Sequence, residues 1–243
     1  MLQSVAYEAV ESIVRSLVVL FSTDDLIIML LSIPGAVFYF TFRGFAEAWT
    51  AKKLGDDTAL RCGMLTMNPK AHIDIIGFIC IVLFGFGWSK PVPTNSRKYK
   101  NVRRGNTIQI LSGPISSLLG GFLMLLAAYI VQAIGNIAQI QASWYFYLIS
   151  IFSIAASLCV SMTIFRLIPL PGLDGYRLIT NFLPYKYYRS LYNIERYSTY
   201  IFIGFILLLN VFPVISAYII GIPSSFILSR YNILLKLLFR PLL

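Results

Sequence analysis

The sequence predicts an all-α polytopic membrane protein of about four to six transmembrane helices, one a candidate re-entrant segment, with a small cytoplasmic β element. Three observations carry this. Of 243 residues, 58% are hydrophobic and only 12% charged, where a soluble domain carries about 25% charged. The mean hydropathy is +0.76. The apolar residues gather in long stretches, and the net charge of +10 sits between them.

Residues Ser4–Phe21 fit an amphipathic helix on or entering the membrane. They do not read as a cleaved signal peptide, because Glu8, Glu11 and Arg15 interrupt the apolar run. Ser22 or Thr23 is the candidate N-cap of the next helix, with Asp24 and Asp25 in its first turn, where the helix dipole favours them. The long apolar stretches are Leu26–Phe42, Ile73–Trp88, Ile108–Ile134, Trp144–Leu170 and Tyr200–Gly221. A spanning helix needs roughly 17–25 residues, and only Ile73–Trp88 falls short. That stretch also carries Gly77, Gly85 and Gly87, so it is the re-entrant candidate. The tail Ile222–Leu243 is punctuated by Arg230, Lys236 and Arg240 and reads as an interfacial helix.

Basic residues follow the first, second and fourth stretches, while the connection around 135–143 carries none. The positive-inside rule makes all three basic loops cytoplasmic. That requires Ile73–Trp88 to enter and leave on one side, which favours the re-entrant reading. Anionic lipid suffices as the partner of these charges, so no nucleic-acid partner is expected. Two polar islands, Gly55–Asp74 and Ser89–Asn106, are candidates for short strands pairing at that face; Pro91 and Pro93 suit an edge strand or extended segment. Cys62, Cys80 and Cys159 have no metal-ligand spacing and are too few for a disulfide framework.

The segment Phe42-Arg43-Gly44-Phe45-Ala46-Glu47-Ala48-Trp49 carries the functional question. It is followed by Leu54-Gly55-Asp56, Asn68-Pro69, Ala71-His72-Ile73-Asp74, Gly87-Trp88, Lys90-Pro91-Val92-Pro93, Gly113-Pro114, Pro169-Leu170-Pro171 and Leu173-Asp174-Gly175. In this order the landmarks resemble the site-2 protease family of intramembrane metalloproteases, from about Phe42 to Tyr200. With the flanking segments read above, the chain is expected to be a single transmembrane domain: an N-terminal amphipathic helix (1–21), a site-2-protease-like core (22–221) and an interfacial C-terminal helix (222–243).

In that family, His-Glu-x-x-His puts two zinc ligands on one helix face, with the glutamate as general base. An aspartate from a later Leu-Asp-Gly motif completes the ligand set. Matched position by position, Arg43 stands for the first His, Gly44 for the base and Glu47 for the second His, while Asp174 is retained. Arg166 and Ser117 stand where the family has asparagines. These degenerate active-site positions imply no catalytic residue and no zinc cofactor. Should a metal bind, Glu47, Asp174 and His72 are the conceivable ligands. His72, the sole histidine, reads better as a residue that caps or orients the polar island.

Losing a divalent cation would strand Asp174 as a costly unpaired charge in a low-dielectric bundle. The expectation is therefore an Arg43/Arg166–Glu47/Asp174 cluster in place of the metal. The alternative for Arg43 is snorkelling to the interface. Gly113-Pro114 and Gly120-Gly121 allow a kink or close helix approach, and Ser116 and Ser117 are candidates for hydrogen bonds across helices. Tyrosines between Tyr185 and Tyr200 suit an interfacial helix.

The leading expectation is a catalytically inactive pseudoprotease in a bacterial plasma membrane. It would serve as scaffold or regulator, with a transmembrane helix or membrane-protein partner. The alternative is a zinc protease with an atypical metal site. A carrier would need a continuous polar path, and the sequence shows one polar cluster. Neither the partner's identity nor an oligomeric state follows from it.

Overall fold

The computed structural model describes residues 23–184 and 187–240. The expected helix over 1–21 and the capping role of Ser22 lie outside them. The architecture is helical throughout. The main elements are α1 (Thr23–Lys53), α2 (Ile75–Phe84), α3 (Val102–Ile137), α4 (Ser143–Leu167), α5 (Asp174–Phe182), α6 (Tyr188–Arg196) and α7 (Ser198–Val211). A last rod, α8 (Pro213–Phe239), includes one π-helical turn at Ala217–Gly221. Among the described residues, α1, α3, α4 and α8 are long and apolar enough to cross a membrane. The chain is an integral membrane protein.

Small residues set how closely the rods approach. A Cβ on Gly35 of α1 would strike Ala155 of α4, and one on Gly121 of α3 would press on Val160 and the Ala156 carbonyl. With little hydrophobic drive between helices in lipid, such close backbone contact is what holds a bundle. Between α1, α2 and α4 lies a core of Ala36, Tyr39, Phe40, Ile81, Cys159 and Met162. α8 packs Leu235 against Leu125 and Tyr129 of α3.

The α2 segment doubles back. Asp74 caps α2 by accepting from Gly77 N at 2.9 Å. Gly85 ends it in the left-handed conformation (φ 73°). The chain then returns along the helix so closely that a Cβ on Gly77 would collide with the Trp88 carbonyl. Ile73 and Ser89 form an antiparallel bridge, and Lys90 N donates to His72 O at 2.8 Å. Both ends of the segment thus meet at one end of the bundle.

Two expectations are corrected. The small β element is only that single Ile73–Ser89 bridge; the described residues contain no strand. The islands fold instead into short helical turns at Thr58–Arg61, Pro69–His72 and Ser96–Lys98, whose first N–H groups side chains satisfy. Asp56, Asn68, Asn95 and Asn101 each accept from a backbone N–H two or three residues on, and Pro91 and Pro93 have no N–H for a ladder. α8 starts at Phe212-Pro213, where proline takes the first helical position, and its π-helical turn ends at Gly221, so the regular α-helix of the tail begins at Ile222. Second, Ser116 and Ser117 do not bond across helices: both hydroxyls donate back to Gly113 O, at 2.8 and 2.9 Å.

The basic loops share one end. Lys98 Nζ is 3.3 Å from Asp56 Oδ1, joining the first two loops. Asn181 Nδ2 donates to Arg103 O at 2.9 Å, joining the second to α5. Buried Asp56 also accepts from Thr58 and from Asn95 N. Burial alone would push the Asp56 carboxyl up; the bonds from Thr58 and Asn95, with Lys98, outweigh it and hold the group below its ordinary value.

Candidate functional site

The degenerate motif sits on α1, facing α3, α4 and α5. Arg43 and Glu47 are one helical turn apart and pair directly through Arg43 Nη2 and Glu47 Oε1. The same Nη2 donates to Asp174 Oδ2 at 2.7 Å. Arg166, in the last turn of α4, approaches the same carboxylate from another direction, with Nε 2.9 Å from Oδ2 and Nη2 3.3 Å from Oδ1. Arg43 is 3% exposed, Glu47 8% and Asp174 1%, and Arg166 is partly buried, so two cations and two anions form a largely buried network. Arg43 does not snorkel.

Local sequence explains why Asp174 arrives there. α4 stops at Ile168, where Pro169 and Pro171 disfavour a further helix. Gly172 takes a positive φ of 92°, reversing the chain, and Asp174 opens α5. Gly175 is fixed by crowding, since a Cβ there would collide with the Leu167 carbonyl. Gly113 forms the wall on α3: a Cβ on it would run into Glu47 Oε1 and the Arg43 guanidinium.

Arg177, one turn along α5, lies 3.8 Å from Asp174 Oδ1 and 3.5 Å from Gln109 Oε1. It is half exposed and only borders the cluster. Tyr39, one turn before Arg43, is 2% exposed and stands within the field of Arg43, Arg166 and Asp174. Sequence reasoning missed Tyr39, Gln109 and Arg177. The i−4 spacing of Tyr39 from Arg43 is the one signal that pointed to any of them.

Gly44 and His72 form a separate contact. His72 is fully buried; its Nε2 lies 2.8 Å from Thr66 O, which ties down the polar island. Its ring packs on Gly44, where a Cβ would overlap Nδ1. Nδ1 has no hydrogen-bond partner among the described residues. The imidazole thus fills the space that any side chain at position 44 would need.

The chain is 36% identical over 164 residues to a Bacillus subtilis (strain 168) protein named "Putative zinc metalloprotease YwhC". The match covers 68% of this chain and 74% of that relative. The chain belongs to the YwhC family. No protein-family profile matches it, and no solved structure matches it.

A relative named as a zinc metalloprotease raises the question of zinc here, which the described donor set tests. Zinc takes three or four donors, drawn from His, Cys, Asp and Glu. Among the described residues no three such side chains come together in a metal-holding group. The two carboxylates of the cluster are bridged by Arg43, a cation that stays protonated. His72, the third conceivable ligand, turns one nitrogen to Thr66 O and presses the other onto Gly44. As arranged here, the described residues of this cluster do not fit a zinc ion.

Proposed function

We propose that this YwhC-family protein is a site-2-protease-like pseudoprotease of a bacterial plasma membrane, its basic loops in the cytoplasm. It binds a transmembrane segment or a partner membrane protein as scaffold or regulator. One observation carries the loss of catalysis: the Arg43 guanidinium stands between Glu47 and Asp174. Neither carboxylate is free to ligate a metal or to take a proton from water. The position beside Arg43 has no side chain to act as a base, and His72 occupies its space.

The partner-binding half of the proposal is supported by a cleft of 320 Å³ beside Arg166. Its lining includes Gly87 and Trp88 of the return arm, Pro171 and Gly172 of the turn after α4, and Phe202 of α7. A mostly apolar cleft of this kind suits an apolar helix end. The alternative is an intramembrane zinc protease with an atypical site, favoured by the name of the relative.

Metal content and cleavage separate the two. The purified protein would be analysed for zinc and incubated in vesicles with a model single-span substrate, with and without chelator. The pseudoprotease reading expects substoichiometric zinc and no chelator-sensitive cleavage; stoichiometric zinc with such cleavage establishes the alternative. For binding, a photo-crosslinker at Trp88 or Phe202 is expected to capture a membrane protein, and capture equal to that from a lipid-facing site such as Leu234 overturns it.

A further inference from the structure

The first turns of α3 form a groove that the ion-pair cluster does not use. It has a volume of 350 Å³ and is lined by Asn101, Arg103, Arg104, Thr107, Ile108 and Phe182. From this groove we infer that the protein carries a dedicated binding site for one anionic phospholipid, its phosphate held by Arg103 and Arg104 and its acyl chains running down Ile108 and Phe182.

Placement comes from helix length. The 36 residues of α3 extend about 54 Å at 1.5 Å per residue, against a hydrocarbon core of about 30 Å. Its apolar run begins at Ile108, so Arg103 to Thr107 stand at headgroup depth. Ile108 and Phe182 are exposed, at 41% and 53%, immediately beside the two arginines. A surface that changes from cationic to apolar within one helical turn is complementary to a lipid with an anionic head and not to a soluble anion.

Two features separate this groove from a diffuse basic face. Its walls are fixed. Asn181 donates to Arg103 O at 2.9 Å and to Thr107 Oγ1 at 3.0 Å, which locks α5 to α3 and sets Phe182 beneath the Arg103 guanidinium at 6.0 Å. Asn101 accepts from Arg104 N at 3.0 Å and fixes where the helix starts. The arginines are also uncommitted: neither pairs with a carboxylate among the described residues, whereas nearby Lys98 and Arg177 each face an aspartate. Two guanidiniums at one helix start offer planar forks matched to phosphate oxygens.

The test uses the full chain in neutral detergent, with phosphatidylglycerol as probe and phosphatidylcholine as the uncharged control, read by native mass spectrometry. Wild type is expected to retain phosphatidylglycerol saturably at one molecule per chain. The variant R103Q/R104Q should bind it roughly thirtyfold more weakly, since each juxtamembrane cation contributes a factor of about five. K52A/K53A, which removes two exposed lysines outside the groove, should bind like wild type. Graded, unsaturable retention by wild type overturns the site, as does an equal loss in both variants or no loss in R103Q/R104Q. Displacement by glycerol 3-phosphate at the same concentration also overturns it, since the acyl chains would then contribute nothing. The saturation measurement needs no variant and decides the question even should R103Q/R104Q misfold.

Discussion

Arg43 donates to Asp174 at 2.7 Å across a sequence separation of 131 residues. The bond joins the motif helix to the turn after α4, and Arg166 reaches the same carboxylate from α4 itself. Three elements therefore meet on one oxygen pair. In a low-dielectric bundle such a network is stable only as a set, because removing one member leaves its partners buried and unpaired.

Asp174→Ala should accordingly lower stability by about 3 kcal/mol or more, the usual scale for breaking a buried pair. Thermal unfolding in detergent reads it. The whole-cluster variant R43L/E47L/R166L/D174L should lose less than D174A alone, because no charge is left behind. An unchanged melting temperature for D174A would show that the cluster does not hold the three elements together.

Gly44→Ala should destabilise by about 1–3 kcal/mol, the cost of overpacking a filled site, because its Cβ overlaps the His72 ring. Removing the ring in H72A should relieve most of that cost, giving a coupling in a double-mutant cycle. The same contact bears on motif repair. R43H/G44E/E47H is expected to express poorly and bind no zinc until His72 is also made small. Additive losses in the cycle would mean that the two residues do not share the space.

Stability should fall in acid through Asp56, whose carboxyl is held below its ordinary value by bonds from Thr58 and Asn95 and by Lys98, against the opposing effect of burial. A depressed folded pKa gives a contribution fully present above the unfolded carboxylate value, about 3.9. That contribution is lost as pH falls through the lower folded value. The gap in melting temperature between wild type and D56N should be constant from pH 7 to about 5 and should close below about pH 4. A gap that stays constant to pH 3 would remove Asp56 from the acid response.

Much of the cluster was legible because each member carries its own signal. An arginine mid-membrane needs an acid, and Arg43, Glu47, Arg166 and Asp174 stand at positions where the landmark motifs already converge. What the sequence hid was packing between distant elements. Nothing local to Gly113 says that it walls off the Arg43–Glu47 pair, and nothing local to His72 says that Gly44 receives it. The island strands failed for a different reason. Asp56, Asn68 and Asn95 look like ordinary turn residues in a strand-bearing loop, yet each accepts a backbone N–H at the start of a short helical turn, and one bridge is left among the described residues. The tail is the helix its apolar run predicts, with Arg230 and Lys236 on its exposed side and Arg230 4.8 Å over the Phe226 ring.

The double-back of the α2 segment makes a topological prediction. Ile73 bridges Ser89, and Lys90 Nζ donates to Lys70 O at 3.0 Å, so the residues flanking the segment lie on one side. A ten-residue helix spans about 15 Å, half the hydrocarbon thickness. Cysteines placed at Lys70 and at Lys90, in a background where Cys62, Cys80 and Cys159 are serine, should be modified by an impermeant maleimide from the same face of sealed vesicles. A cysteine at Gln141, between α3 and α4, should be modified only from the opposite face, because α3 crosses once. Modification of positions 70 and 90 from opposite faces would make the segment a full span and would force one of the basic loops to the other side.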